Sequence, residues 1–417
     1  MDKNFDLIIT NALLNEYQEA VHIAVKNGRI SELVNPNDVD TEVSRSLLAE
    51  KIYDANHQFV CSGFYESHIH LDKACILDRC TIEEGTLDEA VAETGKAKKE
   101  FTEKDVFTRA SYVIEKAIKK GTMGLRTFVE TDSKTELRSF EAIKKVREKY
   151  AFAIDIEICA FAQEGLTQEM KTHKLLDEAL QNGANLVGGC PYKDEDPEKH
   201  IEMIFDLAQK HNVNVDFHLD FDLNPNHSSI PKVVEETIKR NYQGRVSIGH
   251  VTKLTAMSRE QRKIMAQLLN EGGITLTVLP ATDIFLNGRN EDSLTPRGMV
   301  NANELNKHRV STTISSNNIL NAFTPFGDAS LVRMANLYAN VTQLSKDEAI
   351  EEVFDMITKN AAQLLSMQVT IESGAPANFV VLEAKSAIDV IREIAQPLAG
   401  FKNGKQTFSN KKAKIYF

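Results

Sequence analysis

Glu66-Ser67-His68-Ile69-His70-Leu71-Asp72-Lys73 is the stretch on which the fold of this chain turns. Alternate residues of a strand face the same way, so a strand ending here sends both imidazoles, His68 and His70, to one side at a separation suited to a single metal ion. A lone His-x-His is a weak signal, because paired structural histidines give the same pattern. Its surroundings strengthen it. His218 ends the apolar run 214–219 within HLDFD, and His250 ends the run 245–251 within IGHVT. Four of the 11 histidines thus fall at the C-terminal ends of three predicted strands.

Outward from this stretch the chain repeats one unit, a short apolar run followed by an amphipathic helix. The runs are FVCSGF (59–64), MGLRTFV (123–129), AIDIEICAFA (153–162), NLVGGC (185–190), NVDFHL (214–219), RVSIGHV (245–251), ITLTVL (274–279) and VSTTIS (310–315). Between them lie charged segments such as TELRSFEAIKKVREKY and HIEMIFDLAQKH, with apolar residues at i, i+3, i+4 spacing. Alternating strands and helices predict parallel strands with right-handed crossovers, and eight such units suit a closed α/β barrel, a (β/α)8 TIM barrel. Chemistry in such barrels sits where the strands end.

Both chain ends read differently. HIAV leads through Asn27-Gly28 into RISELV, and FVVLEA is followed by Lys402-Asn403-Gly404-Lys405 and QTF. Asn-Gly between alternating runs signals a type I′ hairpin, because both central residues need positive φ. A single hairpin is too small to stand alone, so the two ends together predict one small β-sandwich domain, residues 1–57 plus 366–417, beside a barrel over 58–365.

Composition narrows the function. A net charge of −11 and the lack of a basic stripe interleaved with aromatics argue against nucleic acid as partner. No apolar run approaches the roughly 18 residues that cross a bilayer, so no membrane is expected. The start MDKNF lacks a basic, then apolar, leader, which makes the cytoplasm the expected location. Five cysteines at irregular spacing predict reduced thiols, and Cys75 and Cys80 lack the second pair of a four-thiolate zinc site.

The chain resembles the cytosine deaminase branch of the amidohydrolase superfamily, and the match runs over essentially its whole length. Residues 67–72 resemble that branch's P-H-I-H-L-D, with Ser67 in place of proline. Gln163-Glu164-Gly165-Leu166 resembles its Q-E-G-[IL], Gly188-Gly189-Cys190-Pro191 its G-G-x-P, residues 283–289 its N-x-x-L-Q-G-R, and residues 358–362 its T-x-N-x-A. Relatives of this kind carry a β-sandwich built from both termini. The resemblance implies one divalent zinc or iron held by His68, His70 and His218 with a fourth ligand at Asn317, a water activated for attack on an sp² carbon, and His250 as the polarising catalytic residue. It implies that Gln163 contacts the amide edge of a small heterocyclic substrate. It also admits a homo-oligomer, though no interface is legible in the sequence.

Two positions depart from the pattern. The segment matching H-x-D-E reads His218-Leu219-Asp220-Phe221, so phenylalanine replaces the proton-shuttling glutamate. The segment matching G-H-D-D reads Ser315-Ser316-Asn317-Asn318, which places an uncharged amide on the ligand aspartate and another beside it. General acid–base help is worth about 10²- to 10⁴-fold, so compensating groups matter. Asp220, on the His218 face by alternation, and Asp222 are candidates for proton transfer. Lys73 either polarises a substrate carbonyl or pairs with Asp72. Asp283, which replaces an asparagine of the family pattern, Phe221 and Asn318 are further candidates for substrate contact, Arg126 and Glu130 for the barrel mouth or its packing, and Arg289 for the loop. Two readings follow: a metal-dependent hydrolase that cuts a C–N bond of a small nitrogen heterocycle by deamination or amidohydrolysis, or a catalytically degenerate paralogue that binds a small molecule without metal chemistry. A purely structural or scaffolding protein has little support, since no coiled coil or sticky patch is present.

Overall fold

A computed structural model describes residues 5–35, 49–411, 413, 415 and 416. Eight parallel strands follow one another in chain order around the central body: β5 (Phe64–Ile69), β6 (Thr122–Glu130), β7 (Asp155–Ala162), β8 (Leu186–Gly189), β9 (Asn214–Leu219), β10 (Val246–His250), β11 (Thr275–Val278) and β12 (Thr312–Ile314). Each pairs with its sequential neighbour, as right-handed βαβ units require. The ends of the series meet beyond β12. Asn317 bridges Ile69, its N–H donating to His68 O at 3.0 Å and its carbonyl accepting from His70 N at 2.8 Å. The barrel is closed by the residues that carry the imidazoles.

Seven of the eight predicted runs coincide with these strands, because strands covered on both faces are apolar without interruption. The first run does not. Phe59–Cys61 ends β4 (Ala49–Cys61) of the second sheet, where Cys61 faces Val380, and the barrel begins only at Phe64 after the Ser62-Gly63 corner. Burial is continuous across that corner, so hydropathy alone cannot mark it.

The second sheet draws on both chain ends. β1 (Phe5–Leu13), β2 (Val21–Lys26), β3 (Arg29–Val34) and β4 are joined by β13 (Phe379–Leu382), β14 (Pro397–Lys402) and β15 (Lys405–Ser409) in the order β15-β14-β13-β4-β1-β2-β3. A bridge from Arg29 to Pro376 folds the β3 edge back towards the segment before β13. The apolar layer inside includes Ile9, Ile23, Val25, Val381 and Phe401. Both predicted hairpins are present, with φ of 52° and 72° at Asn27-Gly28 and 48° and 72° at Asn403-Gly404. Among the described residues no helix is long and apolar enough to cross a membrane.

Inside the barrel, alternation along β6 places Arg126 one step below Phe128. Its guanidinium is buried and reaches Asp216 Oδ2, Ser247 Oγ and Glu157 Oε2, each at 3.0 Å, and Leu364 O at 3.1 Å. Arg126 therefore plugs the barrel beneath the histidines and does not line its mouth.

Candidate metal centre

His68 lies one residue short of the end of β5, His70 one residue past it, and His218 one residue short of the end of β9. One nitrogen from each of the three rings lies within 4.8 Å of the others. The rings pack tightly: His68 stacks on His218 at a centroid distance of 4.5 Å, while His70 stands at 88° to His218. Phe128 and Phe161 close the inner side, with centroids 4.1 Å from His68 and 4.2 Å from His218. Gly249 on β10 makes room for His68, since a Cβ there would come within 2.8 Å of His68 Cε1.

Burial, and then the neighbouring positive groups, hold all three imidazoles well below their ordinary pKa, so they stand neutral. His68 Nδ1 and Nε2, His70 Nδ1, His218 Nε2 and Asn317 Oδ1 are buried without a hydrogen-bond partner. Buried polar atoms left unpaired cost about 1–3 kcal/mol each. Five of them around one pocket fit a cation, and the donor set of imidazole nitrogens and an amide oxygen suits zinc or ferrous iron.

The same pocket brings together most of the residues singled out from the sequence: His70, Lys73, Gln163, His218, Phe221, His250, Asn317 and Asn318 all line it. Lys73 is buried and donates to Glu130 Oε1 at 2.7 Å and to Gln163 Oε1 at 3.1 Å. The alternative partner considered for it, Asp72, instead accepts the backbone N–H groups of Lys73 and Glu130. Glu130 is shared with Lys98, whose ammonium also touches Asp132 and Glu164 at 2.5 Å. Burial pushes the Glu130 carboxyl up, but the ammoniums of Lys73 and Lys98 outweigh it and hold it at about 2. The three carboxylates around Lys98 thus already hold a cation of their own.

Asp220 and Asp222 lie elsewhere, which corrects the expectation for both. Asp220 sits in a left-handed conformation with φ 49°, so alternation fails just after β9 and its carboxylate turns to Ser228 Oγ at 2.5 Å and Ser229 N at 3.0 Å. Asp222 pairs with Lys253 at 2.8 Å. Neither lines the pocket. Asp283 does not line it either: it is buried behind His250 and accepts from His250 Nδ1 at 2.7 Å. Arg289 packs over the Phe285 ring and donates to its carbonyl, locking its own loop.

Leu87, Tyr192, Thr282, Leu286 and Phe323 complete the wall and were not anticipated. Tyr192, Thr282 and Leu286 stand in or next to the segments 188–191 and 283–289, and that adjacency was a usable signal. Leu87 opens the helix Leu87–Ala97 and Phe323 comes from a loop, and neither stretch carries such a signal. The inner pocket is small, about 20 Å³, and shares Leu87, Phe221 and Leu286 with an outer recess of about 500 Å³.

The barrel closes on its own histidine cluster, beside a β-domain made from both termini. Residues 112–408 match the model of the amidohydrolase family, and the chain belongs to that family. It is 27% identical over 417 residues to N-isopropylammelide isopropyl amidohydrolase of Pseudomonas sp. (strain ADP), covering 97% of this chain and 98% of that protein. It is 22% identical to pterin deaminase of Rhizobium rhizogenes (strain K84 / ATCC BAA-868), over 87% of this chain and 82% of that one. The crystal structure of 5-methylcytosine deaminase from Klebsiella pneumoniae liganded with 5-fluorocytosine superposes with a TM-score of 0.92 at 24% identity, covering 98% and 99% of the two chains.

Proposed function

We propose that this amidohydrolase uses one divalent metal, zinc or iron, to hydrolyse a C–N bond of a small oxo- or amino-substituted nitrogen heterocycle. The observation that carries this reading is the set of unpartnered buried atoms on His68, His70, His218 and Asn317. A scaffold with no use for them would lose stability by keeping them. An ion held by those four residues would supply Lewis acidity and a water made acidic enough to ionise near neutral pH.

The chain's own residues divide the remaining work. Lys73 keeps one N–H beyond those given to Glu130 and Gln163, and with the Gln163 amide it forms a donor face for a substrate carbonyl. His250, at the end of β10, faces the same pocket with its Nε2 3.4 Å from the Asn317 side-chain nitrogen. Asn318 lines the wall, its Oδ1 held by Asn321 at 2.7 Å. Phe221, edge-on to His250 at 4.8 Å, gives an apolar side where an acid would otherwise shuttle protons. That side suits an alkyl or aryl substituent near the reacting carbon. The substrates named for the relatives, an N-alkyl ammelide, a pterin and a methylcytosine, support a small nitrogen heterocycle as substrate. All five cysteines are free, which supports a reducing compartment such as the cytoplasm.

A second reading, a paralogue that binds a ligand without metal chemistry, is favoured by one observation: Asp220 and Asp222 are engaged elsewhere and do not replace the missing acid. Metal analysis of protein purified without chelators separates the two. Close to one zinc or iron per chain, with ammonia or amine released from a panel of pyrimidines, triazines and pterins, supports the hydrolase; a metal-free chain that takes up no zinc on titration sinks it.

A further inference from the structure

Asp283 stands one hydrogen bond from the pocket and accepts twice. Oδ1 lies 2.7 Å from His250 Nδ1, and Oδ2 accepts a hydrogen bond from the backbone N–H of Leu279 at 3.2 Å. An ionised carboxylate only accepts, so the ring proton of His250 belongs on Nδ1 and Nε2 is left with a lone pair. Nε2 faces the side-chain nitrogen of Asn317 at 3.4 Å. An amide NH₂ only donates, so the two ends match. The free end of the Asn317 amide is then its oxygen, buried without a partner in the pocket that His70 and His218 also line.

We propose that Asp283 is a positioning residue that, through the tautomer of His250, decides which end of the Asn317 amide is left to bind the metal. The proposal rests on the metal reading above and adds a residue that touches neither metal nor substrate. An aspartate in place of Asn317 would not need such a device, since both its ends are oxygens. An amide ligand does, because its nitrogen has no lone pair to offer.

The isosteric change Asp283→Asn tests the relay. Asparagine brings one acceptor where two donors must be met. The Leu279 N–H, which can do nothing but donate, keeps the oxygen, and the new NH₂ faces His250 Nδ1. The ring must then carry its proton on Nε2, donor meets donor at Asn317 Nδ2, and the amide turns its nitrogen to the metal. A similar tautomer error from one aspartate-to-asparagine change is the known consequence in serine proteases.

Two measurements decide it. Nitrogen-15 NMR of metal-free, histidine-labelled protein, with His250 identified by its loss in His250→Gln, should give the Nδ1–H tautomer in the unaltered chain and the Nε2–H tautomer in Asp283→Asn. Zinc affinity by chelator competition should fall about 10- to 100-fold in Asp283→Asn, the range for groups that orient a metal ligand. In an Asn317→Asp background the same change should shift affinity by less than about threefold, because coupled residues fail additivity. An Nε2–H tautomer in the unaltered chain overturns the proposal without recourse to any variant. So does an equal loss of zinc affinity in both backgrounds. If the unaltered chain binds no zinc, the metal reading and the ligand half of the proposal fall together, while the tautomer comparison still decides the hydrogen-bond half.

Discussion

The backbone of Asn317 donates to His68 and accepts from His70, so one residue closes the barrel and stands beside the histidine cluster. Its main chain is fixed by that closure, with φ at 60°, and only the side chain is free to differ in chemistry.

Asn317→Asp should therefore change metal binding without changing the fold. A carboxylate is a charged ligand where the amide is neutral, and zinc affinity should rise at least tenfold in chelator competition. In metal-free protein the same carboxylate is buried without a cation, and unfolding in urea should show a loss of about 1–3 kcal/mol. Stabilisation by zinc and destabilisation without it, in one variant, is the expected signature.

Adding Phe221→Glu to Asn317→Asp should restore proton transfer at the wall beside His250. Ammonia release from oxo-heterocycles without an apolar substituent should rise about 10²-fold or more over the Asn317→Asp single variant. No gain on any such substrate would mean that Phe221 does not stand in the path of the leaving group.

Acid should weaken the metal-free protein early. His68, His70 and His218 have folded pKa values depressed below the ordinary 6.5, so their contribution is present above that value and is lost as pH falls through it. Three such groups give a slope of up to about 4 kcal/mol per pH unit. Urea unfolding between pH 7.5 and 5.5 should show it, and saturating zinc should flatten it. A second loss belongs to Glu130, whose pKa is depressed to about 2, and should appear only as pH falls below about 4.5.

Arg126→Met should cost about 3–5 kcal/mol, because it leaves Asp216 buried in the barrel without its cation. Lys73→Met should cost less, since Glu130 retains Lys98. The order of the two in chemical denaturation checks the assignment of Arg126 to structure and of Lys73 to the site.

Much of this was readable in the residues themselves. The strand runs were legible because parallel barrel strands bury both faces, and the histidines were legible because they end those runs. The first run misled because Phe59–Cys61 and Phe64 are equally buried in two different sheets. Asp220 misled for another reason: alternation holds only while φ stays extended, and nothing in HLDFD announces the left-handed turn after Leu219. The partnerships of Lys73 with Glu130 and of His250 with Asp283 join residues 57 and 33 positions apart, and no local pattern encodes them.

The corner at Ser62-Gly63 also governs how the chain is made. β4 gains its neighbour β13 at Val380, and Ser67 on β5 meets Ser315, 248 residues further on. The strand that bears His68 is thus synthesised long before the residues after β12 that close the barrel on it. Closure of the barrel therefore waits on contacts between residues far apart in the chain, the kind of contact that folds later than local ones.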